Sequence, residues 1–271
     1  MLWPTLDWEG DFVGAPTVLH EDGKFRMWYE AGAGAAIGYA ESGDGLTWTK
    51  NDEPMMLPDQ DWEEGVVAAP AVIRHGGLYR MYYSGGRNDD TTMSAPWGYA
   101  IGYADSEDGR TWTKRDVAGR ASGGDEAVEP ILRPSDAWEG TDEEKGERGA
   151  VTSPSVLIYK PADRDLTLMY YTGGSWGDPV ERQTSIGVAA VNDDYNDFHK
   201  GPPGEINPIV NQKFDLRLYG ISQYLAYSES GPSVVRVRWN QFLMIYAQTD
   251  PLSETGTDGR GLAIASCPPR N

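Results

Sequence analysis

The chain has 271 residues, 39% of them hydrophobic, and a formal net charge of -19. That length buries a full core as one large domain or two small ones, and the acidic balance argues against nucleic acid or an anionic membrane as a partner. A single cysteine, Cys267, excludes an intrachain disulfide and a cysteine-built metal cluster.

The opening MLWPTLDWEGDF has neither the basic nor the apolar segment of a signal peptide. No apolar run is long enough to span a membrane as a helix. The expected location is the cytoplasm, or that of a secreted protein already processed or truncated. The acidic surface reads as solvation, with adaptation to high salt as the alternative.

The sequence then repeats itself. In a first unit, about residues 8–54, Trp8 of LDWEG precedes APTVLHEDGKFRMWYEAG, AIGYAESGDGLTWTK and the kink PMMLP. A second, about 62–133, runs from QDWEEG through APAVIRHGGLYRMYYSGG, a longer insert and AIGYADSEDGRTWTK to PILRP. A third, about 138–210, has DAWEG, SPSVLIYKPADRDLTLMYYTGG and SIGVAAVNDDYNDFHKG. A fourth, about 224–271, has GPSVVRVRWNQFLMIYAQTD and GLAIASCPPRN, without a last strand. The start, MLWPTLDWEG, matches the end of PMMLPDQDWEEG, so the chain is expected to begin partway through a unit.

Each unit holds short runs that alternate with period two and are rich in β-branched and aromatic residues, the pattern of strands A, B, C and D. A four-stranded antiparallel unit repeated along a chain is the blade of a β-propeller. The fold expected is therefore all-β, one propeller domain over residues 1–271. Large flat side chains in MWY, MYY and MYY suit packing of blade on blade.

The stretch Ser42-x-Asp44-Gly45-x-Thr47-Trp48 recurs as Ser106 to Trp112. Asp-Gly is a hairpin signal, because glycine takes positive φ and the aspartate caps turn amides. A catalytic group is needed once, not once per blade, so this motif reads as scaffold. Trp8, Trp62 and Trp138 read the same way. Function is then sought where one copy departs from the others.

The pattern P-x-V, G-x-Y-x-M-x-Y-x-G-G, I-G-Y-A-x-S-x-D-G-x-x-W-x-K resembles the five-bladed propeller glycoside hydrolases, families 43, 32, 68 and 130 and their uncharacterised relatives. Four units are recognisable here against the five blades the resemblance implies. It also implies a sugar bound in an axial funnel where the A strands start, lined by the B–C and D–A loops. In families 43 and 32 a base or nucleophile Asp directly precedes the leading Pro of an early blade, and a Glu acid lies just before that of a later blade. Here Ala15 and Ala69 precede Pro16 and Pro70, and Thr152-Ser153 precedes Pro154. Glu229, three residues before Pro232, has the best family position.

The position after strand B carries Glu30, Ser84, Thr172 and Ala247, so Glu30 alone is ionisable. Burial beside aromatics would raise its pKa, as a general acid requires; a solvated loop acid is the other reading. The second unit's insert offers Arg87, Asn88, Asp89, Asp90 and Trp97, a mix that binds sugars by stacking and hydroxyl contacts. The third offers Trp176, Asp178, Glu181 and Arg182, with Asp178 before a proline also reading as a turn residue. Gln248 and Asp250 fall at the fourth B–C loop. Candidate catalytic acids are thus Glu30, Glu229, Asp89, Asp90 and Asp178. Candidate sugar contacts are Arg87, Trp97, Trp176, Arg182, Gln248 and Asp250.

His20, His75 and His199 are not spaced for a metal, and DDYND at 193–197 lacks the glycine and distal glutamate of a calcium loop. No metal and no cofactor are expected. The ligand expected is a carbohydrate or other small molecule, and self-association is open if the ring is incomplete. Three readings of function stand: an enzyme cleaving glycosidic bonds, a glycan-binding propeller without the usual carboxylates, and a lyase, isomerase or cyclase on the same scaffold.

Overall fold

A computed structural model describes residues 2–86, 98–121, 127–140, 149–159, 166–175, 183–192, 197–200, 209, 213–215, 224–226, 229–238, 241–249 and 260–267. The protein is all-β. Three four-stranded antiparallel sheets follow one another: β1 (Val13–Glu21), β2 (Lys24–Ala31), β3 (Ala36–Ser42) and β4 (Thr49–Lys50); β5 (Ala68–His75), β6 (Leu78–Gly85), β7 (Ala100–Ser106) and β8 (Thr113–Arg115); β9 (Ala150–Tyr159), β10 (Leu166–Ser175), β11 (Gln183–Asn192) and β12 (His199–Lys200). A short pair, β13 (Lys213–Asp215) and β14 (Tyr224–Ala226), precedes a sheet of three described strands, β15 (Glu229–Arg238), β16 (Gln241–Thr249) and β17 (Arg260–Cys267).

Strand order equals chain order in every sheet, so each is a meander. The first hairpins explain why. Glu21 pairs with Lys24 across Asp22-Gly23, and His75 with Leu78 across Gly76-Gly77. All four loop residues have positive φ, from 50° to 84°. That is the two-residue turn whose twist matches the flanking strands.

Neighbouring sheets bury a core between them. Trp28, Ile37 and Tyr39 of the first pack on Val72, Tyr79 and Met81 of the second. Tyr82, Ile101 and Tyr103 pack on Val151, Met169 and Tyr171 of the third. Leu157 and Ile186 pack on Val234, Met244 and Tyr246 of the fourth. The innermost strands pack in series, β1 on β5, β5 on β9 and β9 on β15. Among the described residues no comparable packing joins β15 to β1.

The recurring Asp-Gly turn is part of this packing. Asp44 Oδ1 accepts the N–H of Leu46 (2.8 Å) and Thr47 (2.7 Å), and these backbone donors, Thr47 foremost, hold its pKa down at about 2. Burial pushes Asp108 up, yet the Thr111 and Arg110 N–H groups more than offset it, again to about 2. The second turn receives the first sheet: Trp28 Nε1 donates to the Gly109 carbonyl (2.9 Å) and Arg26 to that of Asp108 (3.1 Å).

A second repeated device closes each of the first three blades on itself. Glu9, Glu63 and Glu139, each 0% exposed, lie in single helical turns before strand A. Glu63 accepts the N–H of Asp59 (2.7 Å) and Gln60 (3.0 Å), the Tyr83 hydroxyl (2.7 Å) and Lys114 Nζ (2.8 Å). Glu9 has the same partners in Thr5, Leu6, Tyr29 and Lys50. Glu139 has them in Ser135, Asp136, Tyr171 and Lys200. The preceding-strand turn, strand B and strand D are thereby tied at one buried carboxylate. Each Trp beside it lies against the same Tyr, with ring centroids 5.8–6.4 Å apart.

Candidate functional site

The starts of β1, β5, β9 and β15 surround one cavity of about 570 Å³, walled by residues 15–19, 69–73, 153–156 and 231–235. Among the described residues its wall is made of Ala, Pro, Ser, Thr, Val, Leu, Ile and Gly, with no charged side chain.

The leading prolines shape the mouth. Proline has no N–H for the ladder, and each sheet slips register where one enters, between Gly14 and Thr17, Ala68 and Ala71, and Ser230 and Ser233, and opposite Ser153-Pro154 between Tyr170 and Thr172. In each bulge the residue before proline is left-handed: Ala15 (φ 42°), Ala69 (46°), Ser153 (51°) and Gly231 (60°). For a residue with a Cβ that conformation costs about 1–2 kcal/mol, and a following proline adds crowding.

What holds these bulges is a series of bonds from blade to blade. Ala69 N–H donates to Glu30 Oε2 (3.1 Å), Ser153 N–H to Ser84 Oγ (2.9 Å) and Gly231 N–H to Thr172 Oγ1 (2.9 Å). Each acceptor, expected just after strand B, lies instead within the last residues of that strand in the blade before, Glu30 in β2, Ser84 in β6 and Thr172 in β10, because the B–C pairing continues past it. Glu30 is therefore the ionisable member of a structural series, which sequence periodicity alone could not show.

Glu30 differs from Ser84 and Thr172 in having a second oxygen, for which no hydrogen bond is present among the described residues. The side chain is half-buried. Burial raises its pKa above the ordinary carboxylate range, and the Ala69 N–H offsets only part of that. Sequence reasoning missed a neighbour, Tyr99. Its phenol is pushed up to about 12, by burial first and by the Glu30 charge second. Its carbonyl accepts Val151 N–H of the next blade (3.0 Å). The signal was available: Tyr99 occupies the place of Ala35 and Thr184, one residue before the matching strand C positions Ala100, Ala36 and Ser185, and breaks that series.

Of the other candidates, Arg87, Asp89, Asp90, Trp97, Trp176, Asp178, Arg182 and Asp250 lie outside the described residues. Gln248, expected at the fourth B–C loop, lies instead inside β16, where it pairs with Glu229 of β15 and Gly261 of β17; the side chains of Glu229 and Gln248 lie outside the description. Ala15, Ala69 and Ser153, where the family resemblance implies carboxylates, stand in the cavity wall. Among the described residues no group of three or more His, Cys, Asp or Glu is arranged to hold a metal.

No family model matches the chain. Two uncharacterised proteins from two strains of Mycobacterium tuberculosis are 27% identical to it over 185 residues, 65% of this chain and 50% of theirs. The chain thus spans about half the length of the curated relatives it matches. Among solved structures it is similar to the alpha-L-arabinanase of Cellvibrio cellulosa complexed with arabinohexaose (TM-score 0.59, 16% identity, 94% of this chain and 70% of that one). It is also similar to the endo-arabinase of Bacteroides thetaiotaomicron (0.59, 12%, 96% and 78%) and to a glycoside hydrolase (0.64, 17%, 97% and 73%). At these identities the likeness shows the fold.

Proposed function

We propose that this chain is a carbohydrate-active propeller of the five-bladed glycosidase type. It binds a sugar at the mouth of the axial cavity, and Glu30 donates the proton when a glycosidic bond is cleaved. The observation that carries the proposal is Glu30 itself, a half-buried carboxyl with one oxygen anchored on Ala69 N–H and a raised pKa. A raised pKa keeps an acid protonated closer to neutral pH, where proton donation is useful. Cleavage needs a second carboxylate across the bond. Glu229 is the first choice, because it opens β15 two residues before Gly231 of the cavity wall; Asp89, Asp90 and Asp178 are the others. Arg87, Trp97, Trp176, Arg182, Gln248 and Asp250 hold the sugar.

Hydrolysis of a panel of aryl glycosides by wild type, Glu30→Gln and Glu229→Gln tests this. Each substitution is expected to lower the rate by about 10²–10⁴-fold, and activity that survives both overturns the assignment. Activity is also expected to fall as pH rises through the Glu30 pKa. Ala15, Ala69 and Ser153 in the cavity wall favour a second reading, a glycan-binding propeller without catalysis. Binding on a glycan array with no turnover of any bound sugar supports that reading over the first.

A further inference from the structure

At the head of the first blade, two residues depart together from the repeat. Counted back from the leading proline, Phe12 stands where the next blades have Val66 and Ala150, and Gly14 where they have Ala68 and Thr152. Val66 and Ala150 are each 1% exposed, whereas Phe12 is 45% exposed. A Cβ on Gly14 would lie 2.6 Å from Phe12 Cζ and 3.0 Å from Cε1. The distal edge of the ring therefore rests on the glycine α-carbon, at a spot that any side chain would occupy. One copy has both acquired an aromatic ring and lost the methyl that would displace it.

The next residue adds a donor. Ala15 N–H is the first-blade equivalent of the three N–H groups bound by Glu30, Ser84 and Thr172. Among the described residues it has no such side-chain acceptor. Gly14 is also the strand partner of Glu30. The ring, the donor and the carboxyl thus share the head of one strand pair, whose strands run about 5 Å apart, beside the cavity wall that starts at Ala15. A flat apolar face flanked by one donor and one acceptor suits a sugar ring: its C–H face stacks and its hydroxyls take the polar groups.

We propose that Phe12, seated on Gly14, is the stacking platform of a sugar subsite in which Ala15 N–H donates to a ring hydroxyl oxygen. The proposal rests on the carbohydrate reading above and specifies which residues hold the sugar beside Glu30. Isothermal titration of arabinohexaose into wild type, Phe12→Ala, Phe12→Tyr and Gly14→Ala tests it, with thermal melts to verify folding. Phe12→Ala is expected to weaken binding about tenfold, the equivalent of about 1.4 kcal/mol. Gly14→Ala, which touches no ligand but pushes the ring aside, is expected to weaken it similarly, and Phe12→Tyr to retain it. Unchanged affinity in folded Phe12→Ala overturns the platform and leaves the carbohydrate reading standing. Failure of wild type to bind arabinohexaose or any sugar on a glycan array overturns both. Sedimentation velocity showing a dimer that Phe12→Ala dissociates also overturns the platform, because the ring is then covered by a second copy.

Discussion

Glu63 and Glu30 are both shielded from water, and they teach opposite lessons. Glu63 has four donors, including a lysine, and its counterparts Glu9 and Glu139 repeat the arrangement atom for atom. Among the described residues Glu30 has one donor, a backbone N–H, and its counterparts are a serine and a threonine. A carboxylate that only holds a structure is fully satisfied and recurs with its partners. One that stands where a hydroxyl would serve, with an oxygen to spare and a raised pKa, is over-equipped for a structural task.

The sharpest way to break this contrast is Lys114→Met. It leaves the Glu63 charge buried without its cation, which is expected to cost about 3–5 kcal/mol, read as a lower urea midpoint. A loss under about 1 kcal/mol means the staple is not what closes the blade. Thr172→Val keeps the shape but removes the acceptor for Gly231 N–H, and an expected loss of about 1–2 kcal/mol measures what the blade-to-blade bond contributes. Ala69→Gly relieves a left-handed alanine. The expected gain is about 0.5–1 kcal/mol after the extra backbone entropy of glycine, seen as a higher melting temperature.

The smallest effect is in pH. Burial pushes Glu9 up, but Lys50, the Thr5 and Leu6 N–H groups and Tyr29 bring it below the ordinary range. Its contribution is therefore present above the unfolded-state pKa and is lost as pH falls through the folded one. Glu30 is raised, so its contribution is full in acid and is lost as pH rises from the ordinary carboxylate value through the folded one. Stability measured against pH for Glu9→Gln and Glu30→Gln, each compared with wild type, is expected to diverge in opposite directions. Parallel curves mean the two carboxyls are of one kind.

The fold was readable because a blade is a local object. Its hairpins are set by Asp22-Gly23 and Gly76-Gly77, and its alternation survives in each copy. The staple was also present in the sequence: the D strand of each of the first three units carries a lysine, at Lys50, Lys114 and Lys200, one for each tryptophan marker. It went unread because its partners are up to 61 residues apart. The role of Glu30 as acceptor for Ala69 was out of reach for a different reason. It is a contact between blades, 39 residues away in sequence, made to a backbone group that carries no side-chain signature. Tyr99 was passed over because the insert before it is richer in charge. Glu30 itself was visible as the odd member of its series.

The three bonds that hold the pre-proline bulges all run the same way, from the pre-proline N–H of one blade to a side chain near the end of strand B of the blade before. Such a joint is generic: any unit ending in an oxygen-bearing residue fits any unit that begins with a left-handed residue and proline. Blades joined in this way are exchangeable in principle, and a chimera that places the third blade directly after the first keeps its bond, with Glu30 receiving Ser153 N–H in place of Ala69.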